Sequence, residues 1–153
     1  MLFRSLALDT SVGAADASVL AKEAHLYPLY LANEWQVGEY PILHNFKRNA
    51  GEVPYGLCID WTYAMRARMR SLNLSSFDWH WGVANAGSDW FEHSTLVVTA
   101  KGQTFNQGIV LDPWRNSGRL FWRAVDQDPQ YQWFSYTEPV GWSPFNKNES
   151  KTN

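Results

Sequence analysis

Cys58, His93 and Asp112 are residues of this chain whose types together could transfer an acyl group. That chemistry needs a thiolate, a base within hydrogen-bond reach of the sulfur, and a carboxylate that fixes the imidazole tautomer and supports its charged form. Cys58 is the only cysteine. A lone cysteine is commonly a small buried hydrophobe, so its position in the chain carries the weight. Pro54 and Gly56 mark a turn, and from Cys58 onward Ala64, Met65, Arg66, Ala67, Arg68, Met69 and Arg70 are strong helix formers. The thiol therefore falls at a predicted helix N-terminus, where unpaired backbone N–H groups and the helix dipole favour a thiolate. Asp60 lies two residues on, about 200° around the helix, so its carboxylate points away from the sulfur and serves the first turn instead.

The elements that would position the other two residues are strands. Phe77 to Ala84 alternates in the manner of a strand, and Asn85 to Asp89 reads as a turn. Trp90 to Thr99 is β-branched and aromatic, and Lys101-Gly102 turns the chain into a third strand from Phe105 to Leu111. The three are expected as consecutive antiparallel neighbours. A hairpin centred between residues 102 and 103 makes His93 and Asp112 cross-strand partners on one face. The same pair also reads as a surface histidine opposite a strand-end aspartate. His80 is an alternative base if the register differs. A zinc site would need a close-spaced ligand pair, which His80, His93 and Cys58 lack.

Upstream, Ala14 to Tyr27 reads as a helix, Pro28 is expected to end or kink it, and a second short helical stretch runs from Leu29 to Trp35. His25 falls mid-helix in a solvated or capping role. Leu43 to Pro54 has no periodicity and reads as a loop. Downstream, Arg119 to Val125 fits helix or strand, and Tyr131 to Tyr136 reads as a final strand. Residues 1–145 are expected to form one domain with Phe145 the last to pack, and 146–153 a disordered tail.

The 153 residues carry 13 Lys+Arg against 15 Asp+Glu, a net charge of -2 with neither sign gathered into a run. That balance argues against nucleic acid or an anionic membrane as the main partner. No apolar run reaches the roughly 18 residues of a membrane span, and Met1 to Ala24 lacks the ordered regions of a signal peptide. A soluble chain, cytoplasmic or secreted, is expected. Nine Trp, seven Tyr and eight Phe are a heavy aromatic load. Most belong to a core, while aromatics in loops would line a groove. Trp79, Trp81, Trp90 and Phe91, close in sequence to His93, are the groove candidates.

Gly56-Leu-Cys58-Ile-Asp60, then Ala64 and Leu72, then His93-Ser-Thr-Leu-Val-Val98, then Gly108-Ile-Val-Leu-Asp112-Pro-Trp114 resemble the core of the transglutaminase-like superfamily. The resemblance covers about residues 54 to 114. It implies an α+β, papain-like fold with the cysteine helix packed on an antiparallel sheet. It also implies Cys58 as nucleophile, His93 as general base and acid, Asp112 as orienter and Trp114 as the shield of their hydrogen bond. Thr95 stands where the family usually has an aromatic residue, and the Cys-to-His interval is short; both departures bear on substrate class more than on the triad.

The activity expected is cysteine-dependent acyl transfer without a cofactor: attack on a peptide bond, glutamine carboxamide or cell-wall peptide, through a thioester. Hydrolysis is favoured over crosslinking because the chain leaves little room for a second-substrate domain. The partners expected are a protein, peptide or peptidoglycan substrate and, if the small size reflects a bacterial toxin, a cognate inhibitor protein. For the oxyanion, the Cys58 backbone N–H is one donor, and Gln36, Asn45, Asn49 or the Trp35 indole the second. The rival expectation is a non-catalytic domain of the same fold that binds a peptide or glycan in its aromatic groove.

Overall fold

The computed structural model describes residues 9–53, 55–88 and 90–136. In chain order these form α1 (Ala14–Glu34), α2 (Pro41–Asn49), α3 (Cys58–Ser71), β1 (Phe77–Ala84), β2 (His93–Ala100), β3 (Ile109–Asp112), β4 (Phe121–Ala124) and β5 (Phe134–Tyr136), with short 3-10 turns at Phe105–Gln107, Trp114–Asn116 and Val125–Gln127. The described residues are α+β: three helices and one five-stranded antiparallel sheet in the order β4-β3-β2-β1-β5. The expected tail, Phe145 included, lies outside the described residues. Among the described residues no helix is long and apolar enough to cross a membrane.

β2 is the central strand and every one of its residues is buried. Alternation along it divides the interior. Leu96 and Val98, with Phe77 and Leu111, meet Ala17, Leu20 and Ala24 of α1 and Met65 and Met69 of α3. Val97, on the other face, packs with Ala84, Phe105, Val110, Val125 and Trp133. The sheet is therefore covered by helices on one side and by the 3-10 turns and C-terminal segment on the other.

Four local expectations are corrected. Pro28 neither ends nor breaks α1, which runs unbroken for 21 residues. Leu20, Ala24, Pro28 and Leu31 form its buried side, and that packing offsets the one backbone hydrogen bond a proline forfeits. Leu43 to Pro54 is not a loop throughout, since α2 occupies Pro41–Asn49, opened by a proline in its first turn. Its apolar periodicity is missing because the residue it buries is His44, while Ile42, Leu43 and Phe46 are exposed. β2 starts at His93 rather than Trp90, which leaves Trp90 and Phe91 in the preceding turn. Residues Phe105–Gln107 form a 3-10 turn, so β3 starts only at Ile109. Arg119 to Val125, open between helix and strand in the sequence, contributes β4.

The late start of β3 sets the register. Leu96 pairs with Leu111, Val97 with Val110 and Val98 with Ile109, so the hairpin is centred one position later than the sequence implies. Asp112 then comes opposite position 95 rather than 93. A shift of two residues preserves the face, and His93 and Asp112 remain diagonal neighbours on the same side of the sheet.

Candidate active site

The sulfur is carried by the first residue of α3. The loop before it is tied from two directions. Asp60, 1% exposed, accepts hydrogen bonds at Oδ2 from the backbone N–H groups of Gly56 and Leu57, both 3.0 Å, and Arg48 Nε approaches the same oxygen at 3.6 Å. Its carboxylate thus serves the start of the helix rather than the thiol. His44 of α2 donates from Nε2 to the carbonyl of Tyr55 at 2.8 Å, and its Cδ2–Nε2 edge takes the space a side chain at Gly56 would need. Gly56 has φ +125, and a Cβ there would stand 2.2 Å from His44 Cδ2. Only glycine fits. Within the helix Thr62 Oγ1 donates to the carbonyl of Cys58 at 2.8 Å, and the sulfur-bearing residue itself is half-buried.

His93 opens β2 and is 2% exposed. Its Nε2 donates to Asp112 Oδ2 at 2.6 Å. Nδ1 is buried and makes no hydrogen bond among the described residues. Cys58 lies close enough to favour the charged imidazole. Since Asp112 occupies Nε2, Nδ1 is the ring atom left to the sulfur. Three aromatic rings wall the imidazole: Trp114 at 4.7 Å, Tyr131 at 4.9 Å and Trp133 at 5.4 Å between centroids.

These surroundings decide the proton. Burial opposes a charged imidazole, but the hydrogen bond to Asp112, the neighbouring Cys58 and the Asp112 charge outweigh it and push His93 up to about 9. Asp112 is buried too, which alone would raise it. His93 and Arg115 instead hold it below the usual carboxylate range. Because the folded-state value of His93 lies above its unfolded 6.5, the stabilisation it brings is fully present below pH 6.5 and is lost as pH rises through about 9. Shared with Asp112 and Cys58, it amounts to about 3 kcal/mol at most. A thermal melt series should show the parent losing stability from pH 6.5 to 9 relative to His93→Gln. Parallel curves for the two proteins would contradict a charged His93.

The sequence left the surroundings of Asp112 unread. Arg115, three residues on in the Trp114–Asn116 turn, donates from Nε to Asp112 Oδ2 at 2.9 Å and from its backbone N–H to Oδ1 at 3.4 Å. Its other edge meets Asp128 through Nη1 at 3.0 Å and Nη2 at 2.6 Å, and Trp133 Nε1 donates to Asp128 at 2.8 Å. An aspartate followed three residues later by arginine at a strand end was the only available hint; Asp128, Tyr131 and Trp133 come from a segment with no periodicity.

Trp79 and Trp81 are corrected as groove candidates. Both project to the helix side, Trp79 against the main core and Trp81, 5% exposed, edge-on to Tyr63 at 4.7 Å. Trp90 and Phe91 are 83% and 73% exposed. Their turn is tied by Asn85 Nδ2 donating to the carbonyl of Phe91 at 3.1 Å and Gly87 N–H donating to Glu92 at 2.7 Å. His80 Nε2 pairs with Thr99 Oγ1 at 2.9 Å, on neighbouring strands away from this cluster. His25 is exposed mid-helix and bonds through Nδ1 to the Ala21 carbonyl at 2.7 Å.

Of the expected oxyanion donors, Gln36 is exposed just beyond α1, Asn49 is exposed at the end of α2, and Trp35 is buried edge-on to Trp61 at 4.7 Å. Asn45 is the one linked to the cluster, accepting at Oδ1 from the Trp114 indole at 3.2 Å. An indole N–H only donates, so the amide oxygen must face it and the NH2 group is left as donor. A cavity of about 550 Å³ between Phe77, Ile109 and Trp122 contains none of the three chemical residues. A second, about 460 Å³, is lined by Tyr131 and Trp133, two of the rings against His93.

A buried imidazole between a carboxylate and a thiol on an α+β scaffold can carry proton transfer and nucleophilic attack. No family model matches this chain, and no match was found for it among curated proteins or solved structures. What the site can do follows from its own atoms.

Proposed function

We propose that the chain is a cysteine-dependent acyl-transfer enzyme, a hydrolase or amidase in a papain-like, transglutaminase-like arrangement, with Cys58 as nucleophile, His93 as acid and base, and Asp112 as orienter. The observation that carries this reading is the orientation of His93: Nε2 held by a buried carboxylate at 2.6 Å, and Nδ1 buried without another partner on the side left to the only cysteine. A carboxylate at one nitrogen fixes the tautomer and supports the imidazolium that forms when the thiol gives up its proton.

In the reaction the Cys58 sulfur forms a bond to the substrate carbonyl carbon, and the carbonyl π pair moves to oxygen. N–H groups at the start of α3 and the Asn45 amide are the donors suited to that oxyanion. As the oxyanion collapses, the carbon–nitrogen bond breaks and the leaving amine takes the Nδ1 proton of His93, giving a thioester. Water then attacks the thioester, losing a proton to His93. The C–S bond breaks, the acid is released, and the proton shared by thiol and imidazole is restored.

A peptide, a protein glutamine and a peptidoglycan fragment are the substrates to try, with products read by mass and by ammonia release. New termini identify a peptidase or amidase, a gain of about one mass unit with ammonia a deamidase, and both must vanish in Cys58→Ser. Turnover that survives Cys58→Ser would sink the proposal.

The exposed Trp90 and Phe91 favour the second reading, a domain that binds a peptide or glycan without transforming it. Binding lost in a Trp90→Ala, Phe91→Ala double variant, with Cys58 inert, is the result that reading requires.

A further inference from the structure

We propose that Arg115 is a positioning residue of this site, a buried guanidinium that Asp128 anchors and that in turn fixes the Asp112 carboxylate beneath His93. The inference deepens the thiol–imidazole reading and, as a statement about function, rests on it. Arg115 has a side chain 8% exposed and spends its donors on one side only to Asp112 and on the other to Asp128 and Gln130. Rings enclose its faces: Phe121 at 3.7 Å, Tyr131 at 4.8 Å and Trp133 at 6.0 Å. A guanidinium held this way cannot swing to solvent, and its planar fork can serve two carboxylates at once where an ammonium cannot.

The oxygen that Arg115 Nε reaches at 2.9 Å is Asp112 Oδ2, the same atom that accepts from His93 at 2.6 Å. Sharing that oxygen has two consequences. The carboxylate cannot rotate away from the imidazole, and part of its charge is neutralised, which moderates its pull on the His93 proton. The anchor belongs to the same wall, because Asp128 is held by Trp133 and by its contact with Arg115, and Trp133 and Tyr131 also pack on the His93 ring. Arg115 lies above its ordinary range because Asp128 and Asp112 together outweigh its burial, and Asp128 is held down at about 2, where Arg115 overcomes the opposing effect of burial. The charged and titratable groups around His93 are then Cys58 from α3, Asp112 from β3, Arg115 from the turn after it, and Asp128 and Tyr131 from the C-terminal segment.

The test is the proton affinity of His93, followed by NMR of the imidazole across pH in the full chain. Arg115→Met removes the cation and should tighten proton binding about tenfold. Asp128→Asn keeps the shape but leaves the Arg115 charge less compensated, and should weaken it about threefold. General loosening of the fold would shift both variants in the same direction, so opposite shifts support the positioning role. Equal or parallel shifts overturn it. If Arg115→Met does not fold, Arg115→Gln takes its place beside Asp128→Asn: shifts of opposite sign support the role and shifts of one sign, or none, overturn it. Labelling of Cys58 in the same samples keeps the two readings apart. A Cys58 that proves inert while the opposite shifts appear refutes the acyl-transfer site and leaves the hold of Arg115 on the His93–Asp112 pair established.

Discussion

Iodoacetamide is expected to modify Cys58 at pH 6 about 100-fold faster than it modifies an ordinary thiol, and His93→Ala should remove that advantage. A free thiol with a pKa near 8.5 is only about 0.3% thiolate at pH 6. On the proposed reading Cys58 passes its proton to His93 and meets the reagent as thiolate, and the lower intrinsic nucleophilicity of such a thiolate takes back part of the gain. The structure supplies the conditions for the transfer. His93 is held protonated up to about pH 9, Asp112 fixes it from behind at 2.6 Å, and Trp114, Tyr131 and Trp133 keep water from its faces. In His93→Ala the labelling rate should climb only toward pH 8.5, as for a free thiol. Asp112→Asn should fall between the two, since it keeps the hydrogen bond and loses the charge that supports the imidazolium. Superimposable pH profiles for the parent and His93→Ala would show that sulfur and ring do not communicate, and the binding reading would take precedence.

The second large effect is expected at Gly56. Gly56→Ala should lower stability by about 3 kcal/mol, a fall in melting temperature of roughly 6–12 °C for a domain of this size, and slow Cys58 labelling as well. Its φ of +125 is a conformation that alanine avoids, and the added methyl would stand 2.2 and 2.3 Å from His44 Cδ2 and Nε2. Moving that ring breaks the 2.8 Å bond to Tyr55 and frees the loop that delivers Cys58 to the helix start. Gly51 and Gly87 also have positive φ, of +79 and +82, but nothing lies within 4 Å of a Cβ at either. Alanine there should cost about 1 kcal/mol and leave labelling alone. If all three substitutions behave alike, the contact with His44 has no role in placing the cysteine.

The distribution of legible and hidden features follows from what each depends on. The start of α3 at Cys58 was readable because helix termini are set by neighbours within a turn: a glycine before, good formers after, and Asp60 to bind the N–H groups of Gly56 and Leu57 that lead into it. β1 was readable for the same kind of reason, since alternation needs only one strand. α2 was not, because its buried residue is a histidine whose value as a core contact exists only once Gly56 and Tyr55 are beside it. The continuation of α1 through Pro28 likewise depends on packing that local propensity ignores. Trp79 and Trp81 were read as groove candidates because an aromatic residue in a strand carries no mark of which face will be covered by a helix.

By itself, then, the sequence determined the chemical inventory and the face on which it could meet: one thiol at a helix start, and a histidine and an aspartate an even number of positions out of register, so that even a misplaced hairpin centre left them together. Tertiary structure alone decided how the pair is held. Tyr131 and Trp133 reach His93, and Asp128 reaches Arg115, by a chain reversal that no local pattern announces, and a buried charge cluster acquires its strength only when separate segments exclude water from it together.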